Sequence, residues 1–403
     1  MKDEGIAGQA RNDKQKQGAS DHDKQRQGRA SDREKRKPRE QQPNRVLAFL
    51  RETMTVVAIV SLLALIVAAF SDRISPLVTV LPAYFGLFFP FILAWNVLIW
   101  ILWLCFRKWL QAGITLLVFL ICWGAVSSYF QMHSLTKNVP ADCIKVMTYN
   151  VMSFDHLKKH SLTQPNEMLQ YVQKQDPDIV CFQEIAFSIY SSRMTKEDVL
   201  RALKKLPYYY IDAYHSNAVF SKFPIISTQE IPIESEVANG AFIAELNVNG
   251  KRVTLVNNHL ESNKITEHER TSFHDMTTDP NTHKVKRFFQ RILFNRMTPA
   301  FKWRARQANL ISKKIAESKS PYTIVCGDFN DTPISYTRHK MKGDLVDSFV
   351  ESGSGMGITF NKHRFLFRID YILHSANIKS YNTTVGKLRS SDHYPLTTYL
   401  QLK

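Results

Sequence analysis

Four short apolar runs in the second half of the chain end on residues able to hold a divalent cation or a phosphate group. They are Ile144-Lys-Val-Met-Thr-Tyr-Asn150, Asp178-Ile-Val-Cys-Phe-Gln-Glu184, Val253-Thr-Leu-Val-Asn-Asn-His259 and Tyr322-Thr-Ile-Val-Cys-Gly-Asp-Phe-Asn330. A carboxylate such as Glu184 is costly to bury at a strand end without a counter-charge, and Mg²⁺ or Mn²⁺ supplies one through oxygen ligands. In Gly327-Asp328-Phe329-Asn330, glycine permits a sharp turn. The aspartate then offers a carboxylate to orient or deprotonate a water, and Asn330 an amide to hold a phosphoryl oxygen. Ser391-Asp392-His393 adds an imidazole, and Asp370, which opens Asp-Tyr-Ile-Leu, is the candidate acceptor fixing one of its ring nitrogens so that the other faces an ester. Asp392 is placed to face a metal from the same turn, and His259 is a second candidate to serve the leaving group. Taken singly, each has a blander explanation. Glu184 suits a sheet edge facing water, Asp328–Asn330 an Asx-type turn, and His393 an exposed loop.

Short apolar runs bounded by turn residues are expected to be buried strands, and ligands of layered sheets gather where such strands end. Between the runs the spacing predicts helices over Glu167–Lys174, Lys196–Leu206 and Arg306–Ser318, with Asp176-Pro-Asp178 stopping the first. Strands are expected at Asn217–Lys222, Ile225–Ile231 and Phe242–Val248, where Asn249-Gly250 turns the chain into Arg252–Asn257. Arg368–Leu373 and Pro395–Leu402 complete the set. Hairpins mixed with crossover helices favour an α+β sandwich over a doubly wound parallel sheet.

The rest of the 403 residues is of two other kinds. Residues 1–44 hold almost nothing that could form a core, and Asp13-Lys-Gln-Lys-Gln-Gly18 recurs imperfectly as Asp23-Lys-Gln-Arg-Gln-Gly28. Such a basic tail is expected to be disordered, either as a solvated cytoplasmic segment or as an arm on lipid or nucleic acid. Residues 45–130 carry three long apolar runs, expected to be transmembrane helices at about 47–70, 77–106 and 110–130, the second kinked at Pro82 and Pro90. They contain no buried acid or base of the kind a transporter needs. The flanking charge, with Arg107-Lys108 between the second and third runs, places the tail in the cytoplasm and everything after Phe130 on the far side. Residues 131–143 then serve as a linker to a domain spanning 144–403. The net charge of +17 favours anionic partners, and five scattered cysteines exclude a disulfide framework.

The strand-tip motifs, in their order and spacing, resemble the endonuclease/exonuclease/phosphatase superfamily, the deoxyribonuclease I-like fold. The resemblance rests on Thr148-Tyr149-Asn150, Gln183-Glu184, Gly327-Asp328-Phe329-Asn330, Asp370 and Ser391-Asp392-His393, with Asn217-Ala-Val-Phe-Ser-Lys-Phe-Pro224 similar to an internal strand before a proline turn. It covers Ile144 to Lys403 and implies a four-layer sandwich of two mixed sheets flanked by helices. It also implies that Asn150, Glu184 and Asp392 hold Mg²⁺ or Mn²⁺ and that Asp328 activates water. Asn330 and Asn258 would contact the substrate, His393 set by Asp370 would stabilise the transition state, and His259 would assist the departing oxygen. Asn258-His259-Leu260 is similar to the deoxyribonuclease, sphingomyelinase and phosphoinositide-phosphatase branches rather than to abasic-site endonucleases.

The expected function is therefore a membrane-anchored, metal-dependent phosphoesterase acting on a phospholipid headgroup or another phosphate ester outside the cytoplasm. The alternatives are a nuclease on the same side of the membrane and an inactive receptor or scaffold of the same fold; usable residues at every motif favour an enzyme. The implied partners are the phosphate ester and the bilayer, with nucleic acid as a second anionic candidate and no protein partner inferable. The stretch His283–Arg306 carries eight basic residues and no acid, interleaved with Phe288, Phe289, Ile292, Leu293 and Phe294. It suits a helix lying on lipid headgroups, a grip on a nucleic-acid backbone, or a helix packed on its own domain, with lipid ranked above nucleic acid because of the membrane tether.

Overall fold

The computed structural model describes residues 45–158, 166–237, 239–264, 291–362 and 365–403. The basic tail and most of the segment 262–290 lie outside that range. The chain divides into two compact units, Met1–Val57 and Ala58–Lys403. The first, where described, is one helix beginning at Arg45.

In the second unit two six-stranded mixed sheets face each other. One runs in the order Ile378–Val385, Leu396–Leu402, Ile144–Asn150, Ile179–Gln183, Asn217–Ser221, Tyr208–Asp212. The other runs Val346–Asp347, Asp370–His374, Tyr322–Asp328, Lys251–His259, Ala241–Val248, Ile225–Ile231. Each sheet has one parallel pair, Ile144–Asn150 beside Ile179–Gln183 and Lys251–His259 beside Tyr322–Asp328, and its other pairs are antiparallel. The parallel pairs bring four of the polar strand tips to the same end of the sandwich. That is the α+β sandwich expected from the pattern, with the two mixed sheets that the resemblance implied.

Alternation along the strands builds three apolar layers. Val146, Cys181, Val219, Leu255, Ile324 and Leu400 meet between the sheets. Met147, Val180 and Phe220 face helices Glu167–Gln175 and Lys196–Ala202, while Val256, Val325 and Leu373 face helix Thr298–Glu317. That last helix begins eight residues before the expected Arg306, because Pro299 sits in its first turn, where a missing N–H costs nothing.

Helix Arg45–Ala69 includes a segment, Glu52–Ala69, long and apolar enough to cross a membrane. The second and third apolar runs are each broken, Leu81–Leu87 from Phe89–Cys105 by 66° and Trp109–Ile121 from Trp123–Tyr129 by 64°. Among the described residues there is thus one such helix, or up to three spans if each bent pair counts as one. Pro90 lies in the first turn of Phe89–Cys105, at the expected kink. Buried Asn96 joins the first and second runs by accepting from Ser61 Oγ at 3.0 Å and donating to the Ser61 carbonyl at 3.2 Å. This pairing meets the hydrogen-bonding needs of a buried amide inside an otherwise apolar contact.

The expected linker is not slack along its length, since Gln131–Met132 pairs with Ser354–Gly355. Within the basic stretch, residues 283–290 lie outside the described range. Ile292, Leu293 and Phe301 turn inward against Ala83, Tyr84 and Leu87, leaving Phe294 exposed. Arg304 is buried, with its Nε 3.2 Å from Asp331. This part of the stretch therefore spends its apolar side and one of its cations on its own chain.

Candidate active site

The tip of strand Tyr322–Asp328 is shaped by a close backbone approach. Gly327 has φ of +136°, and a Cβ there would lie 1.9 Å from the Asn258 carbonyl oxygen. Only glycine lets the two parallel strands come this near at their ends. Asp328 follows, buried, with Oδ1 accepting the Asn330 backbone N–H at 2.8 Å. Glu184 and Asn330 both leave their strands through left-handed backbone, φ +54° and +52°. Asparagine tolerates this conformation, whereas a glutamate there stores strain of the sort found at functional sites.

Around Asp328 Oδ2 the distant motifs converge. Asn150 Nδ2 donates to it at 3.2 Å and to Glu184 Oε1 at 3.0 Å, bridging two carboxylates. His393 Nε2 stands 3.5 Å away and His259 Nε2 3.6 Å, with His259 also 3.7 Å from Glu184. On its other side, His393 Nδ1 lies 2.9 Å from Asp370 Oδ2. Asn330 Nδ2 donates to the Leu260 carbonyl at 2.9 Å. The Ser391 hydroxyl donates to the Asn150 carbonyl at 2.8 Å and accepts the His393 N–H at 3.1 Å, locking the closing motif to the opening one.

Burial pushes the Asp328 carboxyl up to about 6, with Asp370 adding to the rise while His393, His259 and the Asn330 N–H oppose it. Burial acts on His393 in the other sense, but Asp370 and Asp328 outweigh it and raise the imidazole to about 10. A base near neutrality thus sits beside a cation held between two aspartates.

Among the described residues, ligand atoms of Asp328, Asp370 and His393 lie within 4.8 Å of one another. Asp370 Oδ2 is already paired with His393 Nδ1, however, and a cation next to a protonated imidazole would be repelled. Glu184 is the better host, since its side chain is 41 % exposed. With Asp328 nearby, the donor set is rich in oxygen and fits Mg²⁺ or Mn²⁺. Asn150 Oδ1 accepts the Met152 N–H at 3.1 Å, so this amide turns its NH₂ toward the carboxylates, and it would have to rotate to become a ligand. Asp392 is half-buried between Ser391 and His393, and its carbonyl accepts from Asn361.

Seven of the nine expected residues, Asn150, Glu184, His259, Asp328, Asn330, Asp370 and His393, meet at one end of the sandwich. Asn258 does not join them: strand alternation turns it to the face opposite His259, where its amide donates to the Cys326 carbonyl at 2.7 Å. Its neighbour Asn257, which sequence reasoning passed over, points between the sheets. There Asn257 Nδ2 donates to the carbonyls of Phe182 and Ala218, and its Oδ1 accepts from Gln183 Nε2 at 2.7 Å. This buried amide pair sits directly beneath the site, and the only signal for it was a polar residue inside an apolar run. Thr359, whose hydroxyl accepts the N–H of both Ile369 and Asp370, left no sequence signal.

A model of the Endonuclease/Exonuclease/phosphatase family matches residues 147–393, and a model of a domain of unknown function matches residues 51–129. No curated protein matches the chain in sequence. Among solved structures, an endonuclease/exonuclease/phosphatase from Bacteroides vulgatus is similar at 16 % identity and TM-score 0.44, over 65 % of this chain and 99 % of that one. TDP2 from Caenorhabditis elegans is similar at 19 % and 0.43, over 66 % and 77 %. Sphingomyelinase C from Streptomyces griseocarneus is similar at 18 % and 0.38, over 65 % and 99 %.

Proposed function

The chain belongs to the Endonuclease/Exonuclease/phosphatase family, and from that premise we propose that it is a membrane-anchored phosphoesterase. It uses a divalent cation and acts on a phospholipid headgroup or another phosphate ester outside the cytoplasm. The observation that carries the reading is the convergence on Asp328 of Asn150, His259 and His393, drawn from three other strands or loops to within 3.6 Å.

Glu184 would hold Mg²⁺ or Mn²⁺, joined by Asn150 once its amide rotates and by Asp392 if its turn swings toward Glu184; the ion would offset charge on the phosphoryl and leaving oxygens. Asp328 takes a proton from the attacking water as its oxygen bonds to phosphorus. A carboxyl raised to about 6 is ionised at neutral pH yet still basic enough to accept that proton. His393, kept cationic by Asp370, faces the phosphoryl oxygens as their negative charge grows. As the ester P–O bond breaks, the leaving oxygen takes a proton from His259, whose buried Nε2 has no hydrogen-bond partner among the described residues. Asn330 aligns the phosphoryl group.

The apolar runs form three spans in this reading, with the basic tail in the cytoplasm. Purified full-length protein in detergent, assayed with Mg²⁺ against phosphoinositides, sphingomyelin, simple diesters, DNA and RNA, tests the proposal. Metal-dependent hydrolysis of at least one ester, lost in Asp328→Asn, is expected. No turnover of any of them, or full turnover by Asp328→Asn, would overturn it.

A further inference from the structure

Two loops carry the catalytic strand tips out of the sandwich, and both end on the outer turns of the helical segment. The first leaves Asp328–Asn330 and reaches Ile334. That side chain is buried among Leu65, Ala68, Phe89, Val118, Cys122 and Ala125 of the apolar helices. Its carbonyl shares the single proton of Ser71 Oγ, at 3.1 Å, with the Ala68 carbonyl at 2.8 Å. Gly86 packs over the same spot, and a Cβ on it would fall 2.3 Å from Ser71 Oγ and 3.2 Å from the Ile334 carbonyl.

The second loop leads into Asp370, and buried Arg368 donates through Nη2 to the Ser128 carbonyl at 2.7 Å. The two loops are also joined to each other. The Tyr371 hydroxyl lies 2.9 Å from the carbonyls of both Asp331 and Arg368, and Phe329 N–H donates to the Ile369 carbonyl at 2.9 Å. Asp331 Oδ2 holds Arg304, whose Nη1 reaches the Glu261 carbonyl beyond His259 at 2.9 Å. A frame of hydrogen bonds and close packing therefore runs from Ser71, Gly86 and Ser128 to the loops of Asp328, Asp370 and His259.

We infer that the outer end of the helical segment is a working part of this active site, with Ser71 and Gly86 as positioning residues for Asp328 and Asn330. A tether alone would need only a flexible connection. Here the anchor fixes the strand tips that hold Asp328 and the aspartate behind His393. A displacement of the order of an ångström at such a tip is enough to cost about a hundredfold in rate. The inference rests on the phosphoesterase reading for its kinetic consequence, though not for its structural one.

The test uses the full-length chain in lipid nanodiscs, carrying Gly86→Ala or Ser71→Ala, with two readouts. Amide hydrogen exchange is expected to quicken in Phe329, Asn330 and Ile369–Asp370 while the remote strands Tyr208–Asp212 and Asn217–Ser221 keep wild-type protection. On whichever ester the wild type hydrolyses, kcat is expected to fall about tenfold or more with KM within about threefold, because positioning acts on the transition state. Ser71→Ala adds no bulk and so covers the case in which Gly86→Ala does not fold. Unchanged exchange at the two tips in the folded variants, or a uniform rise across both sheets, would overturn the inference. Faster exchange at the tips in the variants, with no ester turned over by the wild type, would uphold the frame and overturn the phosphoesterase reading instead.

Discussion

The Asn258 carbonyl oxygen occupies the place where a Gly327 side chain would begin, 1.9 Å from that Cβ position. The obstacle is backbone, so neighbouring side chains cannot move aside to relieve it. Gly327→Ala is expected to lower stability by about 2–4 kcal/mol, from strain at positive φ plus overpacking. Adding Asn258→Ala should not restore it. Thermal or denaturant unfolding of the two variants checks both statements, and a Gly327→Ala protein with wild-type stability would refute the geometry.

His393 is expected to remain an imidazolium at neutral pH. Its folded pKa, raised to about 10 from an unfolded value of about 6.5, makes its contribution to stability complete below the unfolded value and lost as pH climbs through ten. In metal-free protein the ring resonances should be flat from pH 6 to 8 and titrate near the alkaline value. Asp370→Asn removes the charge behind the ring, so the titration should shift to lower pH and kcat should fall by about 10²–10³. A ring titrating near 6.5 in the wild type would disprove the ion pair.

Glu184→Gln should weaken Mn²⁺ binding at least about tenfold, because it removes the exposed charged ligand from an oxygen donor set. Asp328→Asn should retain more of that binding while losing hydrolysis. Titration calorimetry separates the two, and equal metal affinity in Glu184→Gln and wild type would exclude the assignment.

Stability should also depend on a buried carboxylate paired with the arginine that precedes Asp370. Asp347 sits between Arg338, with Nη2 at 2.7 Å, and Arg368, with Nη1 at 2.9 Å. Burial alone would raise its carboxyl, but the two guanidiniums hold it well below the usual carboxylate range. A depressed folded pKa contributes stability above the unfolded value of about 3.9, lost only as pH falls through the folded one in strong acid. Asp347→Asn leaves two buried cations poorly paired and is expected to cost about 3–5 kcal/mol at neutral pH. It should also flatten the acid limb of the stability profile; a loss under about 1 kcal/mol in denaturant melts would count against the pair.

The orientation of the chain is open to a simple check. A reporter that is active only outside the cytoplasm, fused after Lys403, should give signal, and one active only inside should not. The reverse result would exclude three spans with a cytoplasmic tail.

Sequence alone determined the class of chemistry and the layered scaffold. Strand periodicity and the order of Asn150, Glu184, His259, Asp328, Asp370 and His393 are local properties, and parallel or antiparallel pairing of apolar runs carries their tips to common ends. Tertiary structure decided which atoms face one another. It gave the Asn150 oxygen to a backbone N–H, turned Asn258 away from the site while Asn257 pointed inward, and spent Arg304 on Asp331 rather than on a bilayer. It also joined the apolar helices to the loops that carry Asp328 and Asp370 through Ser71, Ile334 and Arg368. Such contacts join residues up to 263 positions apart, and no spacing rule within a strand or a helix encodes them.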